Sequence, residues 1–262
     1  MTKYESYFPQ VGEADVMNVT RNHRVVTWEL NRPEQDNGLD IGTLQAMESS
    51  LTELERDAKQ LACLLVLGQP AVFSTGLDGE ILKTCFGDAE IFREVVERLN
   101  AVLDRLETLP FVSVACVEGV CRLGGLELAL ACDMIVAGEG AMISDGHLDY
   151  DAMPGGGETR RLPARIGYSG ALRFILQKEK LGATESYKRG LVDEAVPNGQ
   201  APLRGRALAT TLSALHPSVV HGIKSSLRAA APRVMARTET EAFQKAVIDR
   251  LVSGSRAWNT TL

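Results

Sequence analysis

The sequence predicts an α/β protein whose parallel strands are joined by helical crossovers. Short apolar, β-branched runs recur at residues 61–67 (LACLLVL), 111–117 (FVSVACV) and 134–137 (MIVA), the pattern of strands buried on both faces. Segments of helical period separate them. Residues 39–54 place Leu44, Met47, Leu51 and Leu54 at spacings of 3, 4 and 3, and residues 91–109 repeat this with Val95, Leu99, Val102 and Leu106, so each has one apolar face. Parallel strands need long crossovers, and a helix is the economical one. A chain of 262 residues suits one such domain with appended helices, and no linker or low-complexity stretch divides it.

In order, residues 1–14 form a polar arm without usable periodicity. Residues 16–20 and 25–30 are expected to pair as a hairpin around residues 21–24, with Asn22 as the turn residue. The helix over 39–54 leads into the 61–67 strand, which stops at the turn residues Gly68 and Pro70. Pro110 ends the 91–109 helix and opens the next strand. Gly119 marks a turn, and Gly124 and Gly125 open an apolar helix. Glycines 138 and 140 follow the 134–137 strand, and a short run at 141–143 leads into an irregular, acidic, glycine-rich loop. From Pro202 the tail is helical, with Leu208, Leu212 and Leu215 before His216-Pro217, then segments 219–230 and 239–252.

Composition narrows the function. Hydrophobic residues make up 45% and charged residues 24% of the chain, ordinary values for a globular protein. A net charge of -6 argues against a nucleic-acid or anionic-membrane partner, which would need a basic face. The first residues lack a signal peptide's basic start and apolar core, and no apolar run reaches the ~20 residues of a membrane span; a cytoplasmic location is expected. The five cysteines, Cys63, Cys85, Cys116, Cys121 and Cys132, are an odd number scattered through apolar stretches without metal-ligand spacing, so buried reduced thiols and no metal are expected. Cys121 alone lies in the loop where chemistry is expected.

That loop is the junction after residues 111–117. Gly124 and Gly125 let the backbone approach a ligand, and the helix that they open presents unpaired N–H groups and a positive dipole end. Glu127 adds a carboxylate within the first turn. A second glycine loop, residues 71–78 (AVFSTGLD), follows the 61–67 strand and carries Gly76. Two such loops at the ends of parallel strands can each aim one N–H at a single carbonyl oxygen.

FSTGLD, GVCRLGGLELALACD and MPGGGETRRLPARIG resemble, in order and spacing, the signature segments of the crotonase family, the enoyl-CoA hydratase/isomerase superfamily. NRPEQDNGLD is similar to the family's NRPEKxNAL, and TESYKRGLVDEAVP to its AxEAxxxGLVDxVVP. The resemblance spans nearly the whole chain. It implies a repeated ββα spiral over residues 1–200, with a C-terminal helical region over 201–262 that packs across subunits in homotrimers or pairs of trimers.

For the site, the resemblance implies that the N–H groups of Leu77 and Gly124 hold a thioester oxygen, and that Glu127 is the first of the hydratases' two catalytic glutamates. The second is absent. Seven residues before the proline of PGGG stands His147, beside Asp145, and an imidazole can serve as acid or base near neutrality. The family's fold binds CoA through the turn Asn37, Gly38 and Leu39 and through the FSTGLD loop, here Ser74, Gly76 and Asp78, with Gly125 beside Gly124. No separate cofactor is implied; the substrate is an acyl-CoA or another pantetheine thioester, free or on a carrier protein. Gly79 and Glu80 stand where many relatives have Ile-Lys, with that lysine on a CoA phosphate; Lys83, Arg32 or Lys224 are expected to compensate. Glu158, at a site usually glycine in the family, is expected to pair with Arg160 or Arg161, Tyr150 to pack, and Asp149 and Asp151 to remain acidic candidates.

The expected function is therefore an enzyme that stabilises an enolate of an acyl-thioester, in hydration/dehydration or double-bond isomerisation. A C–C bond hydrolase of the β-diketone type, whose loop resembles the one around Asp145 and His147, or a thioester decarboxylase is the alternative. A binding subunit that has lost catalysis is the third.

Overall fold

The computed structural model describes residues 16–85 and 88–230; the arm 1–14 and the expected helix 239–252 lie outside them. Among the described residues, ten strands form two sheets. The wide sheet holds β1 (Met17–Asn22), β2 (Val25–Leu30), β3 (Cys63–Leu67), β5 (Val112–Val117), β7 (Met134–Gly138) and β10 (Glu194–Val196), in the order β1-β2-β3-β5-β7-β10. All of its pairs are parallel except the β1–β2 hairpin. The narrow sheet is β4 (Val72–Ser74), β6 (Val120–Arg122), β8 (Met142–Ser144) and β9 (Lys180–Gly182), in that order. Consecutive strands β3–β4, β5–β6 and β7–β8 each step from the wide to the narrow sheet, so the chain climbs as a spiral of stacked ββ turns.

The helices fill the rest of each turn: α1 (Ile41–Arg56), α2 (Gly79–Cys85), α3 (Ala89–Thr108), α4 (Gly124–Ala131), α5 (Glu158–Leu176), α6 (Ala183–Lys188), α7 (Ala201–Ser213) and α8 (Pro217–Ala230). Asp40 and Asp88 cap α1 and α3, each accepting backbone N–H groups of the first turn. The predicted apolar faces of both helices are buried. Strand β3 is buried along its whole length because both faces are covered. Leu64 and Val66 enter the core under α1 and α3, while Cys63, Leu65 and Leu67 pack with Ala201 and Ala209 of α7. Burying each such side chain contributes about 1.5 to 3 kcal/mol, which is why the strand reads as an unbroken apolar run.

One expectation needs correction here. The hairpin turn is His23-Arg24; Asn22 is the last residue of β1 and pairs with Val25, and His23 takes the positive φ of 54° that a two-residue turn requires. The narrow sheet was not visible as a sheet in the sequence, because strands of three residues are too short to display a period. Among the described residues no helix is long and apolar enough to cross a membrane.

Candidate active site

The two glycine loops meet. Leu39 N–H donates to Gly76 O and Asp78 N–H to Leu39 O, a parallel bridge that turns the intervening Leu77 N–H to the other side. Gly76 has φ of 85°, and a Cβ there would stand 2.4 Å from the nitrogen of Gly124, so only glycine admits the approach. Conversely, a Cβ on Gly124 would lie 3.4 Å from the nitrogen of Leu77. Among the described residues neither N–H donates to a protein carbonyl. Leu123, the residue before α4, is held at φ 53° and ψ -135°, strained for a side-chain-bearing residue, with its N–H bonded to Asp145 O at 2.8 Å. This strain turns the chain so that α4 begins at Gly124.

Leu77 and Gly124 line a cavity of about 430 Å³ together with Glu127, His147, Tyr150, Met153 and Gly156. Glu127 is 1% exposed, and its Oε1 accepts the N–H of Gly156 at 2.6 Å. The carbonyl of Gly156 in turn accepts from Arg161 at 2.7 Å, and Arg161 is anchored on Asp104 and Glu107 of α3. A carboxylate on α4 is thus positioned through α5 by α3.

His147 opens a short 3-10 turn, His147–Tyr150. Its Nδ1 lies 2.6 Å from Oδ1 of Asp145, whose Oδ2 accepts the backbone N–H of His147 at 3.0 Å. Burial works against the imidazolium, but the hydrogen bond to Asp145 and the charges of Glu127 and Asp145 outweigh it and hold the His147 pKa above its ordinary value; Arg122 pulls the other way. For Asp145, burial favours the neutral acid, yet the hydrogen bonds and charge of His147 and a hydrogen bond with Glu158 keep its pKa below the usual range. Glu158, fully buried, has Oε2 at 3.8 Å from His147 Nδ1. Polar atoms of Asp145, His147 and Glu158 lie within 4.8 Å of one another, although nothing in their sequence spacing suggested a cluster. With Nδ1 taken by Asp145, the imidazole nitrogen beside the two carboxyls is not an open ligand.

Other expected residues stand behind the wall. Asn37 is buried and donates to the carbonyls of Val72 and Phe73. Ser74 Oγ donates to Asn37 O and accepts the Gly76 N–H. Gly38 and Leu39 are buried, and Gly125 packs against Ser74 O. The first four tie the 37–39 turn to the 71–78 loop and Gly125 brings α4 against that loop; none of the five lines the cavity, whereas Asp78 does. Glu158 does not pair with its neighbouring arginines: Arg160 and Arg161 both reach Asp104 and Glu107. None of Lys83, Arg32 and Lys224 lines the cavity. Lys83 pairs with Glu80, Arg32 with Asp40 and Asp78, and buried Lys224 with Asp133 and the carbonyl of Phe111. Asp149 pairs with Arg122 and Lys178. Cys121 is fully buried, and burial pushes its thiol far up, which suits packing and not nucleophilic chemistry.

Residues 20–254 match the profile of the family Enoyl-CoA hydratase/isomerase. The "Probable enoyl-CoA hydratase echA8" of Mycobacterium bovis is 30% identical over 213 residues, covering 81% of this chain and 80% of that protein. Among solved structures, Pseudomonas aeruginosa DspI is 27% identical with a TM-score of 0.80, covering 94% of this chain and 98% of the other. An enoyl-CoA hydratase from Bacillus anthracis is 26% identical with a TM-score of 0.78, covering 92% of each chain. The chain therefore belongs to the enoyl-CoA hydratase/isomerase family, the crotonase superfamily.

Proposed function

We propose that this protein is a hydratase-type enzyme acting on a 2-enoyl thioester. One observation carries the proposal: Leu77 and Gly124, whose backbone N–H groups are the oxygen donors, the Glu127 carboxylate and the His147 imidazole, from three separate segments, line one cavity. The Leu77 and Gly124 N–H groups hold the thioester oxygen, on which negative charge grows in the transition state; one donor of such a hole contributes about 3 to 4 kcal/mol. Glu127 takes a proton from water as its oxygen bonds to the β-carbon. Electrons shift onto the thioester oxygen, and the imidazolium of His147 returns a proton to the α-carbon. Glu127 ends protonated and His147 neutral, and proton exchange with solvent restores both.

The cavity rim carries exposed Asp36 and Glu80, an acidic border that favours recognition of the thioester and pantetheine arm over the phosphates of CoA. Carrier-protein thioesters are thus substrates to test beside acyl-CoA. The test is loss of enoyl-thioester absorbance with crotonyl-CoA and with the matching pantetheine ester. Turnover of neither overturns the proposal.

The short contact between His147 and Asp145 favours a second reading, in which His147 is the working base of a C–C bond hydrolase. Cleavage of a cyclic 1,3-diketone, without thioester turnover, would select it. We further propose that copies associate as trimers or pairs of trimers, with residues 201–262 contributing to the contact. The support is an apolar stripe on α8, where Val219, Ile223 and Leu227 recur every four residues and are 56, 57 and 68% exposed.

A further inference from the structure

The environment of His147 contains one carboxyl more than a proton-carrying imidazole needs. Asp145 and Glu158 are 1% and 0% exposed, and carboxylate oxygens of the two lie within 4.8 Å of one another, beside His147. Like charges buried this close do not both ionise near neutrality, so one of the pair keeps a proton. The remaining bonds decide which one keeps it. Asp145 already accepts two N–H groups from His147, one at Nδ1 and one from the backbone, and both favour its anion. Glu158 accepts neither of these.

We infer that Asp145 and Glu158 act on His147 as a single positioning unit. The buried carboxyl of Glu158 stays neutral and donates to Asp145; Asp145 stays an anion, holds the Nδ1 proton and leaves Nε2 as the nitrogen that exchanges protons. The inference rests on His147 as a proton carrier in either reading of the reaction. The charged groups facing the imidazole come from four elements: Asp145 after β8, Glu158 on α5, Glu127 on α4, and Arg122 on β6 opposing them. Neutral Glu158 limits this cluster to two carboxylate charges beside one imidazole. A third would bind the imidazolium too firmly for it to give up its proton. Neither Asp145 nor Glu158 lines the cavity, so both are positioning residues.

The test needs no substrate. The His147 pKa is measured by NMR of the imidazole nitrogens in the wild-type protein, D145N and E158Q. D145N should lower it by about one unit or more, the effect of removing an adjacent opposite charge. E158Q, in which an amide N–H replaces the acid proton, should move it by less than about 0.3 unit, because removal of a neutral donor changes no charge. A fall of about one unit in E158Q would mean that Glu158 was ionised and overturns the inference. Infrared difference spectra between wild type and E158Q should show the carbonyl stretch of a protonated acid at neutral pH; its absence overturns it too. If D145N does not fold, the Glu158 measurements decide alone. With an active substrate, D145N should lower kcat about tenfold or more, with KM changed less than about twofold, since the residue orients the base without touching substrate. Expected NMR and infrared results without turnover of thioester or diketone would support the proton-sharing unit and reject only the reaction.

Discussion

Oε1 of Glu127 accepts the N–H of Gly156 at 2.6 Å, and a Cβ on Gly156 would stand 2.3 Å from Oε2 of the same carboxylate. One loop residue therefore orients the carboxylate and leaves it room. Glu127→Gln keeps the shape and a carbonyl acceptor for Gly156 but removes the base. Turnover should fall by about 100 to 10,000 fold with the melting temperature little changed, compared by steady-state kinetics and thermal denaturation. Gly156→Ala should reduce turnover through displacement of Glu127, while D₂O exchange of the product's α-proton reports whether the enolate still forms.

Gly76→Ala tests the two N–H donors. Its Cβ would stand 2.4 Å from the Gly124 nitrogen at a φ of 85°, so the loops must part. We expect kcat to drop by about 100 to 1,000 fold, as on loss of one oxyanion donor. Binding of a saturated acyl-thioester should weaken far less, because that oxygen carries less charge in the ground state. Equal losses in both would place the effect in substrate binding.

His147 supplies the pH dependence. Its pKa is raised above the ordinary imidazole value of about 6.5, so the folded state binds its proton more tightly than the unfolded state. The resulting stabilisation is fully present below about pH 6.5 and is lost as pH rises through the higher folded value. Chemical denaturation at a series of pH values should show this loss in the wild type and not in His147→Gln. If His147 donates its proton as an imidazolium, the rate should fall over the same interval, and His147→Gln should remove that alkaline limb together with about 100 fold or more of activity.

For assembly, static light scattering should give the mass of a trimer or hexamer. Charging the α8 stripe by Ile223→Lys together with Leu227→Lys should shift it toward monomer, with little loss of helix, because both side chains are exposed in the single chain. A monomeric wild type at micromolar concentration would reject the assembly.

Much of this protein was legible from local pattern. The long helices and strands β3, β5 and β7 announce themselves because one-sided and two-sided burial impose different periods on the chain. The glycine loops and Glu127 were also visible, because a strand that ends in glycine before a helix dictates a local geometry. What distant segments do to one another was decided only by the tertiary structure. The narrow sheet exists because stacked turns pair three-residue strands that carry no signal of their own. Asn37 and Ser74, expected at the substrate, instead form the hydrogen bonds that clamp the 37–39 turn to the 71–78 loop. Glu158 shows the limit most clearly. Its neighbour Arg160 lies about 200° away around α5 and faces Asp104, while the spiral brings the Glu158 carboxyl to Asp145 and His147 from another turn. Sequence proximity suggested an ion pair; the direction of side chains on a helix and the stacking of the spiral produced a buried acid beside the histidine.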